Sequence, residues 1–183
     1  FVWDDQMAEY GERIIVARKR FLSRLDEIAA EKLSQLTGGK DHLQTIYNPN
    51  CEAGTLAEKL QKNIDRDIYF GSTQSGPHKD DILFSIDGRE VKVYGSQGQQ
   101  RTTALAARLA EIDLIREETG EEPVLLLDDV FSELDENRQK YLLKSIEGLQ
   151  AFVTCTGIED SVKKYISKDN LFYVENGAIT HQK

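Results

Sequence analysis

The sequence has few of the residues from which disulfide frameworks and zinc sites are built. It contains two cysteines and three histidines in 183 residues. Cys51 and Cys155 lie far apart and belong to no C-x-x-C pair, and the histidines occur singly at positions 42, 78 and 181. We therefore expect two free thiols in a reducing compartment and no structural zinc site.

Long apolar runs are also absent. No stretch approaches the roughly 18–20 apolar residues of a membrane-spanning helix, and the first residues do not follow the pattern of a secretory signal. With 39% apolar residues, the chain is long enough to bury one good core. These features are typical of a cytoplasmic protein without a membrane partner.

The chain also has no net positive charge; its formal net charge is −9. Such a balance disfavours binding of nucleic acid through the whole surface. The first 40 residues are nevertheless neutral, with seven acidic and seven basic side chains. On sequence alone, the basic cluster within them is interpreted as a solvated helix face; it comprises Arg13, Arg18, Lys19, Arg20 and Arg24.

The most informative stretch is residues 124–135, which read Val-Leu-Leu-Leu-Asp-Asp-Val-Phe-Ser-Glu-Leu-Asp. The apolar start predicts a strand buried on both faces, with two acids at its carboxyl end, where open α/β sheets bind ligands. In nucleotide hydrolases the first acid of this Walker B pattern holds Mg²⁺, so Asp128 is the metal candidate. Asp129 is then the candidate that orients or deprotonates the attacking water. A strand end with two solvated acids is the alternative.

A second motif, Gly-Ser-Gln-Gly-Gln-Gln-Arg at residues 95–101, precedes a helical pattern from about Thr102 to Glu118. A Ser/Gly loop that opens a helix offers backbone N–H groups and a favourable dipole to an anionic phosphate. Ser96 is either the N-cap of this helix or a phosphate ligand, and Gly98 permits close approach of the backbone. The position of this motif about 30 residues before the acidic strand makes it specific.

Together the motifs resemble those of ABC-type ATPase heads. In their exact amino-acid sequences they resemble the RecF family of bacterial DNA recombination and repair proteins. The matching segments are Ser96-Gln97-Gly98-Gln99 for a variant ABC signature, residues 124–129 for Walker B, and Ser132-Glu133-Leu134-Asp135 for the D-loop. The segment Gly-Pro-His-Lys-Asp-Asp at residues 76–81 also resembles a RecF sequence motif. The sequence does not assign a chemical role to it. ABC heads usually carry Glu as the second Walker B acid, whereas Asp129 has a shorter reach.

The resemblance implies an α/β fold, the C-terminal lobe of an ABC/SMC-type ATPase head (a P-loop NTPase) with a helical arm-like second domain. The arm would comprise residues 1–70 and the lobe residues 71–183. The sequence contains no G-x-x-x-x-G-K-[ST] P-loop. Because RecF proteins carry the P-loop in their N-terminal half, we expect a C-terminal half with half a nucleotide site. Alone it would bind ATP poorly and hydrolyse essentially none.

The resemblance also implies ATP and Mg²⁺ as cofactors and an ATP-dependent homodimer with slow hydrolysis. In such a dimer Ser96, Gln97, Gly98 and Gln99 would contact the nucleotide held by the other subunit. Asp135 would contact an opposing nucleotide, cap the following helix, or do both. Closure would clamp DNA at single-/double-strand junctions, with a RecR-like mediator as protein partner and the basic cluster on DNA phosphates. Thr154 or Thr156 would have to replace the switch histidine of ABC transporters as γ-phosphate sensor.

The remaining patterns predict the elements around these motifs. A helix over residues 1–37, stopped by Gly38-Gly39, carries an apolar stripe at steps of four and three: Trp3, Met7, Tyr10, Ile14, Ala17 and Phe21. A strand at 42–47 and a helix at 55–67, with a Thr55–Glu58 capping box, follow. Beyond them we expect a hairpin of 82–86 and 90–94, a helix at 136–147, a buried strand at 151–154, a helix at 159–166 and a hairpin of 171–174 and 178–181.

Other functions remain open. A non-catalytic partner-docking module predicts that Asp128→Ala leaves function intact. A metal-dependent hydrolase or nuclease that uses Asp128, Asp129 and His78 predicts nucleic-acid cleavage without a nucleotide. The head of another SMC-like DNA-maintenance ATPase is the third alternative.

Overall fold

A computed structural model describes residues 2–157, 163, 166 and 171–181. They form two compact units, Phe1–Leu114 and Ile115–Lys183. The mixture of helices and strands confirms the predicted α/β class. The boundary between the units does not coincide with the predicted arm, residues 1–70, and lobe, residues 71–183, and that division stays a prediction.

The first unit begins with α1, Val2–Thr37. The helix ends where Gly38 adopts a left-handed φ of 66° and the Gly39 N–H donates to the Ser34 carbonyl at 2.8 Å. This 6→1 bond is the Schellman arrangement, which satisfies a carbonyl that the helix leaves without a partner. The predicted helix and its glycine stop are confirmed.

The first half of α1 buries a different face from the predicted stripe. Ala8 and Ile15 are buried, whereas Trp3 is 75% and Tyr10 57% exposed. The physical reason is the small residue between the buried positions: a Cβ on Gly11 would lie 2.3 Å from Leu56 Cδ2. The backbone of α1 therefore admits the next helix only on its Gly11 side.

The helix predicted for residues 55–67 is two helices, α2 at Leu56–Lys62 and α3 at Ile64–Phe70. The predicted capping box is wrong, because Thr55 makes no side-chain cap bond and Glu58 pairs with Lys62. Glu12 of α1 takes the cap's place: its carboxylate accepts from Gly54 N at 2.6 Å and Leu56 N at 3.0 Å. A cap supplied from a distant helix has no local sequence signal.

Three antiparallel strands follow in the order β1 Leu43–Asn48, β2 Asp81–Ile86 and β3 Arg89–Glu90. The hairpin turn at Asp87-Gly88 is confirmed, with φ of 50° and 77°. The second strand was predicted too long, because Val91–Tyr94 forms the short helix α4. Val91 is 4% exposed in the core while Val93 is 60% exposed. Residues i and i+2 would share one face of a strand but lie on opposite sides of a helix, so this contrast agrees with the helix.

Helix α5, Gln97–Thr119, starts five residues before the expected Thr102, and its residues up to Leu114 belong to this unit. The core lies between α1, the sheet and α5. Its buried members include Leu22, Leu25, Ile28, Leu33, Leu43, Ile86, Val91, Ala106, Ala110 and Leu114. This core fixes the start of α5, where the predicted signature motif lies.

The second unit contains two parallel strands, β4 Leu125–Leu127 and β5 Ala151–Val153, paired from Leu125↔Ala151 to Leu127↔Val153. A 3₁₀ turn at Val130–Glu133 and helix α6 at Glu136–Ser145 connect them. The predicted strands and the helix from Glu136 are confirmed.

The expectations that β4 is buried on both faces and that β5 is a buried strand are both wrong. Leu126 is 74% and Phe152 58% exposed. Among the described residues these two strands pair only with each other. The apolar run therefore predicts the strands correctly and their burial incorrectly.

The last described element is the hairpin of β6, Phe172–Glu175, and β7, Ala178–His181, which confirms its prediction. The helix predicted for residues 159–166 falls almost entirely outside the described residues.

Candidate nucleotide site

The predicted signature segment forms a capping box at the start of α5. Ser96 Oγ accepts from Gln99 N at 3.2 Å, and the Gln99 side-chain oxygen accepts from Ser96 N at 3.1 Å. The reciprocal bonds satisfy two backbone donors, as in an S-x-x-Q box. Because the Ser96 oxygen acts here as an acceptor, its own O–H proton is available to a phosphate oxygen.

Gln99 makes a further contact that fixes the segment. Its Nε2 donates to Asp41 Oδ1 at 3.1 Å, which ties the start of α5 to the end of the loop after α1. Gln97 is the first helical residue and is exposed. Of the four signature residues, Ser96 and Gln99 are therefore held in place and Gln97 faces solvent.

Gly98 has no internal reason to be glycine. A Cβ at this position would meet nothing closer than Ser96 Oγ at 4.0 Å, and its φ is not left-handed. Glycine in a helix costs up to about 1 kcal/mol relative to alanine. The structure therefore leaves open space over the backbone at Gly98.

The two candidate acids in the second unit follow β4 directly. Both Asp128 and Asp129 are exposed. Thr154, at the matching end of β5, joins them: its Oγ1 accepts from Asp129 N at 3.1 Å and donates to Asp128 Oδ1. Asp129 adopts a left-handed backbone, with φ 48° and ψ 28°. One hydroxyl thus connects a backbone group of one acid with the carboxylate of the other.

The backbone of the D-loop segment is held by hydrogen bonds from a side chain of α6. Gln139, 5% exposed, donates from Nε2 to the carbonyls of Phe131 at 2.9 Å and Leu134 at 3.0 Å. Asp135 is the N-cap of α6, since its Oδ1 accepts from Arg138 N at 3.0 Å and its Oδ2 pairs with Arg138 Nη1 at 2.8 Å. The predicted capping role of Asp135 is thereby confirmed, and contact with an opposing nucleotide stays a prediction.

The residue types present fit a magnesium ion bound with nucleotide. Among residues 2–157, 163, 166 and 171–181, no group of three or more His, Cys, Asp or Glu is placed to hold a metal. Mg²⁺ is usually held by one or two carboxylates while waters and phosphates complete its shell. Exposed Asp128 is a donor of that kind, hard and anionic, and its second oxygen lies beside the one that Thr154 engages.

The segment at residues 76–81, whose chemistry the sequence left open, is a structural junction around Asp80. This carboxylate is 1% exposed and accepts from Arg18 Nη1 at 2.7 Å, Tyr47 OH at 2.5 Å and Asn50 N at 2.8 Å. Burial first, and the bond to Asp80 second, raise the pKa of Tyr47 from 10.0 to about 12. Arg18 also donates to the Pro77 carbonyl at 2.6 Å.

The junction corrects the interpretation of the basic cluster. Arg18 is a structural ligand of Asp80 and not part of a solvated face. Arg24 pairs with Glu27 at 2.5 Å. Arg13 lies over the Tyr10 ring at 5.7 Å and is exposed, as is Lys19. The cluster is thus smaller than its sequence suggests.

The predicted site residues therefore occur in two sets. Ser96, Gly98 and Gln99 come together in the first unit, and Asp128 and Asp129 come together in the second. The sequence missed Gln139, whose buried amide has no motif around it. It singled out Thr154, but as a phosphate sensor and not as the bridge between the acids.

No helix in the described part of the chain is long and apolar enough to cross a membrane. Both cysteines are free thiols, and burial raises the pKa of each.

No protein-family model matches the chain. Curated sequences do: "DNA replication and repair protein RecF" of Agathobacter rectalis is 44% identical over 178 residues, which cover 97% of this chain and 49% of the relative. The protein of the same name from Clostridium kluyveri is 45% identical over 184 residues, which cover 98% and 50%. The chain thus spans about half the length of the curated relatives it matches.

Solved structures agree with the sequence relatives. A structure of the recombination mediator protein RecF with ATP, described as part of the RecFOR pathway, matches all of this chain at a TM-score of 0.82 and 38% identity. A second, of RecF with ATPrS, matches at 0.80 and 38%. In both, the match covers 50% of the solved chain, a share consistent with the predicted C-terminal half. The chain has the fold of part of an ABC/SMC-type ATPase head and belongs to the RecF family.

Proposed function

We propose that this chain supplies the signature and Walker B half of an ATP site in a RecF-type ABC ATPase that acts in DNA recombination and repair. The observation that carries the proposal is the Asp128–Asp129 pair, exposed at the carboxyl end of β4 and held by Thr154 from β5. Ligands of open α/β sheets bind at this end of the strands. The ATP-bound RecF neighbours support the nucleotide assignment.

Asp128 and Asp129 have separate tasks in this proposal. The Asp128 carboxylate would hold Mg²⁺, which supplies neutralisation of phosphate charge when bound. Asp129 would accept a hydrogen bond from the attacking water and orient it, or remove its proton. Its carboxylate is shorter than the Glu of most ABC heads, so we expect slow turnover.

The start of α5 would bind phosphate supplied by the other subunit of a homodimer. Ser96 accepts a backbone bond and retains its hydroxyl proton to donate to the γ-phosphate. The space over Gly98 lets the phosphate reach the helix N-terminus, where the backbone dipole favours an anion. ATP would thus hold two heads together, and Asp135 would face the nucleotide of the opposing head.

Closure of such a dimer would clamp DNA at single-/double-strand junctions in the cytoplasm, with a RecR-like mediator as protein partner. The similarity of this chain to solved RecF structures of the RecFOR pathway supports a role in that pathway. Exposed Arg13 and Lys19 on α1 are the residues of this chain that would contact DNA phosphates.

The proposal is tested by nucleotide-dependent dimerisation. The chain is combined with the separately produced P-loop half of a RecF relative, and the mass of the complex is measured by sedimentation with ATP and with ADP. We expect dimers of the complex with ATP alone. Ser96→Asp keeps a good N-cap but places a negative charge against the γ-phosphate, so it should abolish the dimer without lowering helix stability.

An unaltered dimer with Ser96→Asp contradicts the role of the signature. A complex of the two halves that neither dimerises nor binds ATP contradicts the whole proposal, and favours a docking module in its place.

A further inference from the structure

We propose that Thr154 is a positioning residue that sets the geometry of both Walker B acids, and that it does not sense the γ-phosphate. The inference rests on the proposed ATPase function and adds a residue to it. It follows from the two hydrogen bonds of one hydroxyl group.

The strand register places Thr154 beside the acids. β4 and β5 are parallel with Leu127 opposite Val153, and the Thr154 N–H donates to the Leu127 carbonyl at 2.9 Å. The ladder therefore continues one residue past both strands, where Asp128 and Thr154 become neighbours. A threonine here is anchored by its backbone, so its hydroxyl position is set by the sheet.

The direction of each bond follows from which groups can donate. The Asp129 N–H can only donate, so the Thr154 oxygen accepts from it at 3.1 Å. The hydroxyl has a single proton, and that proton goes to Asp128 Oδ1. Thr154 cannot donate to a phosphate without releasing Asp128. Its proton is therefore already used.

The bond to Asp129 also stabilises an unfavourable backbone. Asp129 has φ 48° and ψ 28°, a left-handed conformation that costs on the order of 1–2 kcal/mol for a residue with a Cβ. This conformation decides the direction in which the Asp129 side chain leaves the strand. Removing the Thr154 acceptor would allow the peptide to relax and turn the carboxylate away from the water that it has to orient.

The bond to Asp128 has a parallel consequence. Because Oδ1 accepts from Thr154, rotation of the carboxylate is restricted, and Oδ2 is the oxygen that would remain to hold a metal. Removal of a group that orients a metal ligand in this way typically lowers metal affinity or activity by about 10–100-fold. Thr156, which is exposed and two residues further along, is the remaining candidate for phosphate sensing.

The test uses three variants. Thr154→Val keeps the shape and strand preference but loses the hydroxyl, Thr154→Ser keeps the hydroxyl, and Thr156→Val is the matched control. The first readout, on the chain without nucleotide, is hydrogen exchange of the Asp129 amide by NMR. We expect about tenfold faster exchange in Thr154→Val, the factor of one hydrogen bond, and restored protection in Thr154→Ser.

The amide of residue 154 serves as the internal control for folding. Its bond to the Leu127 carbonyl does not use the hydroxyl, so its exchange should not change in any variant. Thr156→Val should leave the Asp129 amide as in the wild type. Unchanged Asp129 exchange in Thr154→Val would overturn the inference.

The second readout is ATP turnover by the chain combined with the P-loop half. We expect Thr154→Val to lower kcat by about 10–100-fold and to raise the Mg²⁺ concentration for half-maximal rate, while KM for ATP changes little. Thr154→Ser should recover both values. Faster Asp129 exchange with undiminished turnover overturns the positioning role. Absence of turnover in the wild-type complex contradicts the proposed ATPase function, independently of the amide result.

Discussion

Arg18 and Asp80 form an ion pair of 2.7 Å across 62 residues of sequence, and the carboxylate is 1% exposed. The pair joins the middle of α1 to the segment before β2. Tyr47 and the Asn50 backbone donate to the same carboxylate, so its charge is compensated by three donors. This junction gives Asp80, within the dense polar sequence at residues 76–81, a structural role.

Loss of the buried carboxylate should destabilise the first unit strongly. Asp80→Ala leaves Arg18 and Tyr47 without their acceptor, and we expect the free energy of unfolding to fall by about 3–5 kcal/mol. The neighbouring Asp81 is exposed and is the matched control. Asp81→Ala should change the free energy by less than about 0.5 kcal/mol. Urea unfolding of both variants compares them, and equal losses would show that Asp80 is not the centre of the junction.

Because the pKa of Tyr47 is raised, part of the stability of the first unit should be lost at alkaline pH. The folded pKa of about 12 lies above the ordinary value of 10.0, so the contribution is complete below pH 10 and is lost as pH rises through 12. Tyr47→Phe lacks this contribution. We expect the difference in unfolding free energy between wild type and Tyr47→Phe to shrink between pH 10 and 12.

Tyrosinate absorbance identifies the titrating group in the same range. The spectrum of the wild type minus that of Tyr47→Phe should show one tyrosine that ionises near pH 12. A difference spectrum that titrates near pH 10 would contradict the buried bond to Asp80.

Glu12 caps a helix to which it does not belong. Because it accepts from Gly54 N and Leu56 N, Glu12→Ala should lower the free energy of unfolding by about 1–2 kcal/mol. Glu9 lies on the same helix and is exposed, so Glu9→Ala is a control of equal charge change. Thermal unfolding should show a lower Tm only for Glu12→Ala, and parallel losses would indicate a general charge effect.

Gly98→Ala separates stability from function. The position is open, so alanine should stabilise the chain by up to about 1 kcal/mol through the lower entropy of its unfolded state. If phosphate approaches the backbone here, the same methyl group should weaken ATP-dependent dimerisation of the complex with the P-loop half. A variant that is both more stable and fully active would show that the open space is not a ligand site.

The sequence predicts those parts of the fold that depend on local pattern. The glycine stop after α1, the Asp-Gly and Asn-Gly turns, and the strand that ends in Asp128 all follow from neighbouring residues. The capping of α2 by Glu12 and the face that α1 buries around Gly11 do not, because both depend on contacts between helices distant in sequence.

The candidate site shows the same division. The motifs predict Ser96, Asp128 and Asp129 as functional residues from their spacing alone. The bridge made by Thr154 depends on the register of β4 and β5, and the bonds of Gln139 depend on how α6 folds over the 3₁₀ turn. Burial of β4 was overestimated, because an apolar run indicates a strand without showing what covers it.

ATP turnover by the chain combined with the P-loop half, with and without gapped DNA, tests the assignment of half an ATP site most directly. Asp129→Asn, which keeps the size of the side chain and removes its charge, is the decisive variant. We predict turnover that requires both halves, is stimulated by gapped DNA and is lost in Asp129→Asn. A stable complex of the two halves with no turnover, or with equal turnover in Asp129→Asn, would contradict it.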